Sequence, residues 1–584
     1  MSNTPNDQLV AYFSMEICLE EALPTYSGGL GVLAGDTLRS AADLGVRVVG
    51  VTLLHRKGYF TQHLDQWGNQ TESTVQWSPE KLLEPLEPRV KVEIAGREVV
   101  VRAWRYTVKG VRGHEVPVYL LDTNLPENSE YDRTLTDTLY GGDTYYRICQ
   151  EVVLGMGGAQ MLRALMGPQA GTPDSRIIHH INEGHASLLC LTLLERQLAG
   201  RGHWDIQESD LEAVRQQAVF TTHTPVPAGH DKFTIEMARD VLGTERIALL
   251  EGAGALEDGA LNMTVVALEL TRFCNAVALR HQEVSAEMFP DYRITAITNG
   301  VHATTWTSAP FQALFDRHIP SWREDNVYLR YASVIPLDEI REAHAEVKQE
   351  LIDLIDKRTG VHFDPKVLTI GFARRVATYK RADLLFTDPD RLRAVTRHTG
   401  PIQIVYAGKA HPRDEFGKQL IKRIYDASRA LGDRVRVVYL ENYDMALGAR
   451  LTSGVDVWLN NPMRPLEASG TSGMKAALNG VPSLSILDGW WVEGCVEGVT
   501  GWSIGDDYRL PQNPEQDVPE LYHKLERVVL PTYYGTPYRF AEIMRNAIAL
   551  NGSFFNTQRM VRQYVLNAYY PGGVAQEQPQ VAVK

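Results

Sequence analysis

Cysteine is scarce. Cys18, Cys149, Cys190, Cys274 and Cys495 are the five in 584 residues, scattered and with no C-x-x-C spacing. That pattern excludes a disulfide framework and a zinc ribbon, and it implies free, buried thiols in a reducing compartment. Positive charge is also short, with a net charge of −13. Nucleic acids are therefore excluded as partners, because a basic face supplies most of that affinity. No apolar run is long enough to span a bilayer, and the polar start MSNTPNDQ lacks the regions of a secretion signal. A cytoplasmic protein with no membrane partner is expected. Internal repeats and low-complexity segments are absent too. What remains is 44% apolar and 22% charged, ordinary for a soluble enzyme. The chain is too long for one core, and two large α/β domains are the expectation.

The stretch that organises the chain is NPMRPLEASGTSGMKAALNGVPSLSILDGWWVE, residues 461–493. The small residues from Ala468 to Gly473 leave backbone N–H groups able to close on an anion at a helix start. MKAALNG reads as a short helix ending at Asn479-Gly480, and VPSLSIL as a buried strand. Lys475 sits on that helix among Met474, Ala476, Ala477 and Leu478. A surface lysine keeps its proton to about pH 10.4. One forced among apolar neighbours loses it and becomes an amine able to form a Schiff base. Pyridoxal phosphate needs both such an amine and a phosphate cradle.

Gly29-Leu30-Gly31-Val32-Leu33-Ala34 fits a dinucleotide fingerprint, but ALPTYS rather than a strand precedes it and His55-Arg56 follows the next strand. An anion-binding loop opening an amphipathic helix is the better reading. Residues 90–121 alternate and suggest an antiparallel extension of a sheet, with no visible function. Residues 136–166 read as helix, with glycines where it packs closely. His179, His180, His185, His223 and His230 match no zinc spacing, so no metal is expected. FCNAVALRHQEVSAEMFP reads as a helix and ITAITNG as a strand ending at Asn299-Gly300. In the second half VLTIGFARR, IQIVYAGKA, VRVVYLEN, VDVWLNN and PSLSILDG are five strands of parallel type at helix-length intervals. Arg374, Arg375, Lys380 and Arg381 follow the first of these, where a strand end opens into a sheet's crevice. YAGKAHP lacks the first glycine and the Ser/Thr of a P-loop, so nucleotide hydrolysis is not supported.

EASGTSGMKAALNG with DGWWVEG closely resembles the cofactor segment of the α-glucan phosphorylases, the glycogen, starch and maltodextrin phosphorylase family, and the resemblance runs from Ser27 to Glu493 in the family's motif order. It implies that Lys475 carries pyridoxal 5'-phosphate, with Arg374, Tyr443, Thr471, Ser472 and Gly473 about the cofactor. Gly28, Gly29 and Leu30 resemble the loop that closes over substrate phosphate and glucose. His223 matches a histidine on the glucosyl unit, His185 lies near it, Asn299 matches a ligand of the sugar 6-hydroxyl, and Tyr379 matches a substrate-contacting tyrosine. Glu467, Ala468, Ser469 and Gly470 fall on the substrate side, Glu467 as a sugar-hydroxyl ligand. Arg374, Arg375 and Lys380 match the basic triplet for the two phosphates, with Arg374 where relatives often have lysine. Lys475, Arg375, Lys380 and His223 are the implied catalytic set. Glu183 stands where many relatives have aspartate, and Asp444 where many have a base.

The implied fold is α/β, with two doubly wound Rossmann-like domains facing across a cleft, the glycosyltransferase-B arrangement. The expected units are a glucan-binding domain at 1–310, a cofactor-binding domain at 311–552, a terminal helix at 553–570 docking back on the first, and a disordered tail at 571–584. The implied reaction moves a glucosyl unit from an α-1,4-glucan to orthophosphate, giving α-glucose 1-phosphate with retention. A hydrolase would show two carboxylates about the bond, and none has that character; the cofactor's phosphate supplies the acid in the family. The long amino-terminal region that carries control in the animal enzymes is missing, so an unregulated or differently regulated enzyme is expected, with a homodimer as one assembly that the sequence allows but does not decide. The rivals are a sugar-nucleotide glycosyltransferase, which would not need Lys475 in an apolar pocket, and a carbohydrate-binding protein, which would not keep the basic triplet.

Overall fold

A computed structural model describes residues 8–167, 177–199, 206–505, 507–509 and 512–570. The expected disordered tail and most of MSNTPNDQ lie outside the described residues.

The run LVAYFS buries every side chain and becomes the strand Leu9–Ser14 at the centre of a nine-stranded sheet. On one side of it lie Val48–Leu53 and Glu115–Asp122, and on the other Ile177–Asn182, Ala218–Thr221, Phe273–Ala276 and Ile294–Ala296, all parallel. The chain winds outward first one way and then the other, so the order reverses beside Leu9–Ser14. Such a switch point leaves a crevice at the carboxyl ends of the strands. Glu84–Ile94 and Arg97–Lys109 continue the sheet as an antiparallel meander, the extension that the alternation at 90–121 suggests.

The second sheet has six parallel strands in the spatial order Val435–Leu440, Ile402–Ala407, Leu368–Ala373, Val457–Asn460, Ser483–Ile486, Gly501–Ile504. Its own switch point lies between Leu368–Ala373 and Val457–Asn460. The two sheets face across a cleft with both crevices opening into it, which is the doubly wound glycosyltransferase-B architecture.

Two readings need correction. Phe273–Ala276 is a strand rather than the start of a helix, which begins only at Leu279; four residues are too few to show a period against the longer helical pattern behind them. Gly501–Ile504 is a sixth strand, too short and too glycine-flanked to stand out. Within 136–166, helix starts at Thr144, capped by Asp143, whose side chain accepts from the Tyr146 N–H. Glycine is required there as expected: a Cβ at Gly158 would come within 2.7 Å of the Phe13 ring.

The helix Thr557–Tyr564 packs on Gly29–Leu44 and buries Met560 and Tyr564, with Tyr569 beyond it, among Val10, Tyr12 and Leu38 of the first sheet's core. A hairpin, Thr61–Leu64 with Gln70–Ser73, leaves the first sheet and docks on the second: Gln62 Nε2 donates to the Gly408 carbonyl, and Gln70 Nε2 to that of Ala410. All five cysteines are free, four of them buried and Cys495 partly so.

Candidate active site

One cavity of about 670 Å³ fills the cleft. It is walled by Gly28, Gly29, Leu30, His185, His223 and Asn299 from the first half. From the second half come Arg374, Arg375, Tyr379, Lys380, Tyr443, Glu467, Ala468, Ser469, Gly470, Thr471, Ser472 and Lys475. Of the residues that the resemblance assigns to the site, Gly473 alone stands behind the wall: a Cβ there would lie 2.7 Å from the Trp490 ring and 2.9 Å from Ser483 Oγ, so its glycine serves packing. Arg381 of the basic cluster also turns away, to Asp517 Oδ2 at 2.7 Å and the Asn461 carbonyl at 2.9 Å.

The turn before Lys475 ends at Thr471, and the helix Ser472–Leu478 carries the lysine inward. Lys475 is 6% exposed. Its Nζ lies 3.6 Å from the centroid of the Trp306 ring. Burial pulls the amine down to about 8, against the opposing pull of Asp36.

Arg374 and Arg375 follow directly on Leu368–Ala373. Arg374 donates to Asn460 Oδ1 (3.1 Å) and Glu467 Oε2 (2.6 Å), while its buried Nε has no partner among the described residues. Lys380 Nζ meets the same Glu467 oxygen at 2.5 Å. Burial alone would raise the Glu467 carboxyl, but Arg374 and Lys380 outweigh it and hold it at about 2. Glu467, read by resemblance as a sugar ligand, is thus engaged through Oε2 with two cations, and any anion entering here competes with that carboxylate. Arg375 turns the other way, with its Cδ and Nε 3.5 Å from where a Gly28 Cβ would stand, so the guanidinium lies along the glycine loop within the cleft.

That loop is shaped by Glu16, which the sequence did not reveal. Its Oε2 accepts from the Ser27 and Gly28 N–H groups at 2.6 and 3.1 Å, and its Oε1 accepts from the Tyr140 hydroxyl at 2.9 Å. Gly31 must be glycine, since a Cβ would sit 2.7 Å from Glu16 Oε2. Nothing in MEICLEE marks Glu16 off from Glu20 and Glu21; only the close approach of distant segments does.

On the first wall Glu183 replaces uncertainty with a definite role. Its Oε2 accepts from the His223 N–H (2.8 Å) and Thr224 Oγ1 (2.9 Å), and Oε1 from the Gly184 N–H (2.9 Å), so the longer acid pins two strand-end loops together. His223 Nε2 bonds Asn182 Oδ1 at 2.7 Å, and burial lowers the ring to about 4, so it is neutral at pH 7. His185 Nε2 lies 3.4 Å from Asp231 Oδ2. Asn299 is buried and its Oδ1, on the cavity wall, has no partner among the described residues. Such an acceptor suits a ligand hydroxyl.

On the second wall Asp444 caps the helix Met445–Gly454, accepting from the Leu447 N–H at 2.8 Å. Burial pushes the adjacent Tyr443 hydroxyl up. Lys409, in the segment set aside as a failed P-loop, also lines the cavity; burial pulls it down to about 8 and its Nζ donates to the Phe60 carbonyl at 3.0 Å. Trp306, at the end of ITNGVHATTW, is a further wall residue that the sequence did not single out.

This arrangement sets a wall rich in cations, which carries the buried amine, against a wall of neutral rings, an amide and the hydrogen-bonded carboxylates of Glu183 and Asp231. Comparison with known proteins gives the family of the chain. Residues 243–499 match the family model described as carbohydrate phosphorylase. The chain is 39% identical to a maltodextrin phosphorylase of Thermococcus litoralis, the alignment covering 96% of this chain and 70% of that one. It is 41% identical to a glycogen phosphorylase of Mycobacterium tuberculosis (96% and 71%) and 34% identical to a glycogen phosphorylase of Aquifex aeolicus (96% and 86%). The chain belongs to the carbohydrate phosphorylase family.

Proposed function

We propose that the protein is an α-1,4-glucan phosphorylase, moving the terminal glucosyl unit of a glycogen- or maltodextrin-like chain to orthophosphate to give α-glucose 1-phosphate with retention. The observation that carries this is the convergence in one cavity of Arg374, Arg375 and Lys380, the Gly28-Gly29 loop and the buried amine of Lys475. The relatives' names support the substrate class. Residues 1–310 and 311–552 serve as the two domains that carry the opposing walls.

The residues fit pyridoxal phosphate. Lys475 is a buried amine poised near neutrality. The unpartnered Nε of Arg374 and the backbone of Thr471 and Ser472 offer donors for a phosphate ester. Lys475 would hold the cofactor covalently, with Arg374, Tyr443, Thr471 and Ser472 about it. When bound, the cofactor supplies a phosphate whose second pKa, about 6, makes it an acid and base at neutral pH.

The chain's own residues then divide the work. Arg375 and the glycine loop bind orthophosphate, and the guanidinium fork orients it. Lys380 offsets the repulsion between two phosphates in one cleft. His223, neutral, and Asn299 hold the glucosyl hydroxyls through hydrogen bonds that need no proton exchange. The proton that leaves with the departing glucan oxygen comes from orthophosphate, which then bonds the anomeric carbon from the same face.

The test is consumption of maltodextrin with and without orthophosphate. Glucose 1-phosphate formed only when phosphate is present is expected; free glucose released at the same rate in phosphate-free buffer would favour a hydrolase.

A further inference from the structure

The surroundings of Lys475 extend beyond the cavity wall. Trp306, whose ring faces Lys475 Nζ at 3.6 Å, donates its Nε1–H to Asp36 Oδ2 at 2.7 Å. Asp36 is completely buried in the helix that opens at the glycine loop. The same Asp36 oxygen accepts from the His302 N–H (3.1 Å), and Asp36 Oδ1 pairs with Arg39 at 3.0 Å. From the other side, Asn479 Nδ2 donates both to the Trp306 carbonyl (2.8 Å) and to the Lys475 carbonyl (3.0 Å), while Asn479 Oδ1 accepts from the Ser308 N–H (2.8 Å). Indole and lysine are therefore tied at their backbones by one amide and at the ring by one carboxylate. Ring position and lysine position cannot vary independently.

We propose that Asp36, acting through Trp306, is a positioning residue for Lys475: it fixes the indole face against the ammonium and couples the glycine-loop helix to the helix that carries the lysine.

The physical case has two parts. An ammonium over an indole face is attracted by the ring's quadrupole, and a carboxylate accepting from the indole N–H holds the ring in that pose and adds to its negative face. A carboxylate near a buried ammonium also favours the charged form. Burial lowers the proton affinity of Lys475 most; of the charged groups that face it, Asp36 raises it and Arg39 lowers it, while burial holds the nearby Cys18 thiol protonated. Removing the Asp36 charge leaves Arg39 uncompensated, so both consequences point the same way, toward a more easily deprotonated and less fixed lysine. The inference concerns the free amine, with no cofactor joined to it, so its failure is separable from that of the proposed function.

The experiment is trace labelling of Lys475 with acetic anhydride between pH 6 and 11, read by mass spectrometry of its peptide, after hydroxylamine has released any aldehyde from the lysine. Wild type is compared with Asp36→Asn, Trp306→Phe and Trp306→Leu, with thermal melting recorded for each. The labelling midpoint is expected to fall by about one pH unit or more in Asp36→Asn and in Trp306→Leu. Trp306→Phe, which keeps a π face but offers no N–H to Asp36, is expected to fall between Trp306→Leu and wild type. If Asp36→Asn does not fold, the two Trp306 variants decide. Folded variants that all label with the wild-type midpoint would overturn the inference, as would a midpoint that rises.

Discussion

The two walls of the cleft are built on the same topology, a parallel sheet with its switch point at the cavity, yet they carry opposite chemistry. The second sheet delivers Arg374, Arg375, Lys380, Lys409 and Lys475. The first delivers Asn299, rings that burial keeps neutral, His223 at about 4 among them, and carboxylates, Glu183 and Asp231, that are engaged by its own loops. One fold rule therefore places both sets, and the side chains at the strand ends decide what each set binds. A wall rich in cations suits phosphates, and a wall of amide, neutral rings and already hydrogen-bonded carboxylates suits sugar hydroxyls, which both donate and accept.

The comparison is broken most severely at Lys475. Lys475→Ala removes the amine and is expected to abolish activity and leave the protein without bound pyridoxal phosphate, as read by absorbance after gel filtration. A variant retaining stoichiometric cofactor and wild-type turnover would mean that the amine has no such role.

Arg375→Ala strikes the same wall more selectively. Loss of a fork-shaped cation where water is excluded costs about 2 to 4 kcal/mol, roughly thirty-fold to nearly a thousand-fold in turnover or phosphate affinity. Cofactor content is expected to stay normal, since Arg375 lies along the Gly28 loop while the lysine's turn is approached by Arg374. Full activity at low phosphate would return Arg375 to an ordinary solvated cation.

The first half is expected to declare itself in acid through buried rings that lie behind its wall. Burial lowers the rings of His55 and of His281, in the helix Leu279–Met288, to about 4 and that of His180 to about 3, from the ordinary value near 6.5. Their folded-state values lie below the unfolded one, so the unfolded chain binds more protons between these limits. Stability is then fully present above about pH 6.5 and is lost as pH falls toward 4, each ring contributing at most about 1.4 kcal/mol per pH unit. Urea unfolding at a series of pH values should show this slope, and His281→Gln should reduce it by about one proton. An unchanged slope in that variant would mean that His281 is not held neutral.

Part of the cavity's lining was legible because its residues fall where a strand stops and a glycine or small-residue turn begins, Arg374 and Arg375 after LTIGFA, Asn299 after ITAIT and Lys475 behind ASGTSG, while the roles expected of Asn299, His185, His223, Tyr379 and Tyr443 came from the family resemblance alone. Those signals are local, a period followed by a breaker. The features that escaped are contacts between distant segments. Glu16 meets Ser27 and Gly28 only because the chain doubles back past the first strand; Trp306 meets Lys475 from 169 residues away in sequence. Lys409 was visible but misplaced in importance, since a failed nucleotide motif says nothing about where its lysine points. The Glu467 contacts were missed for another reason: a carboxylate's partner depends on which cations the fold brings to it, and one oxygen takes both Arg374 and Lys380.

The central claim is that the buried amine on the second wall, Lys475, holds the cofactor. It is tested most directly by reducing the purified protein with borohydride and mapping the modified peptide by mass spectrometry. A phosphopyridoxyl group on Lys475 is the result expected. The same group on another lysine, Lys409 in particular, or on none, would contradict it.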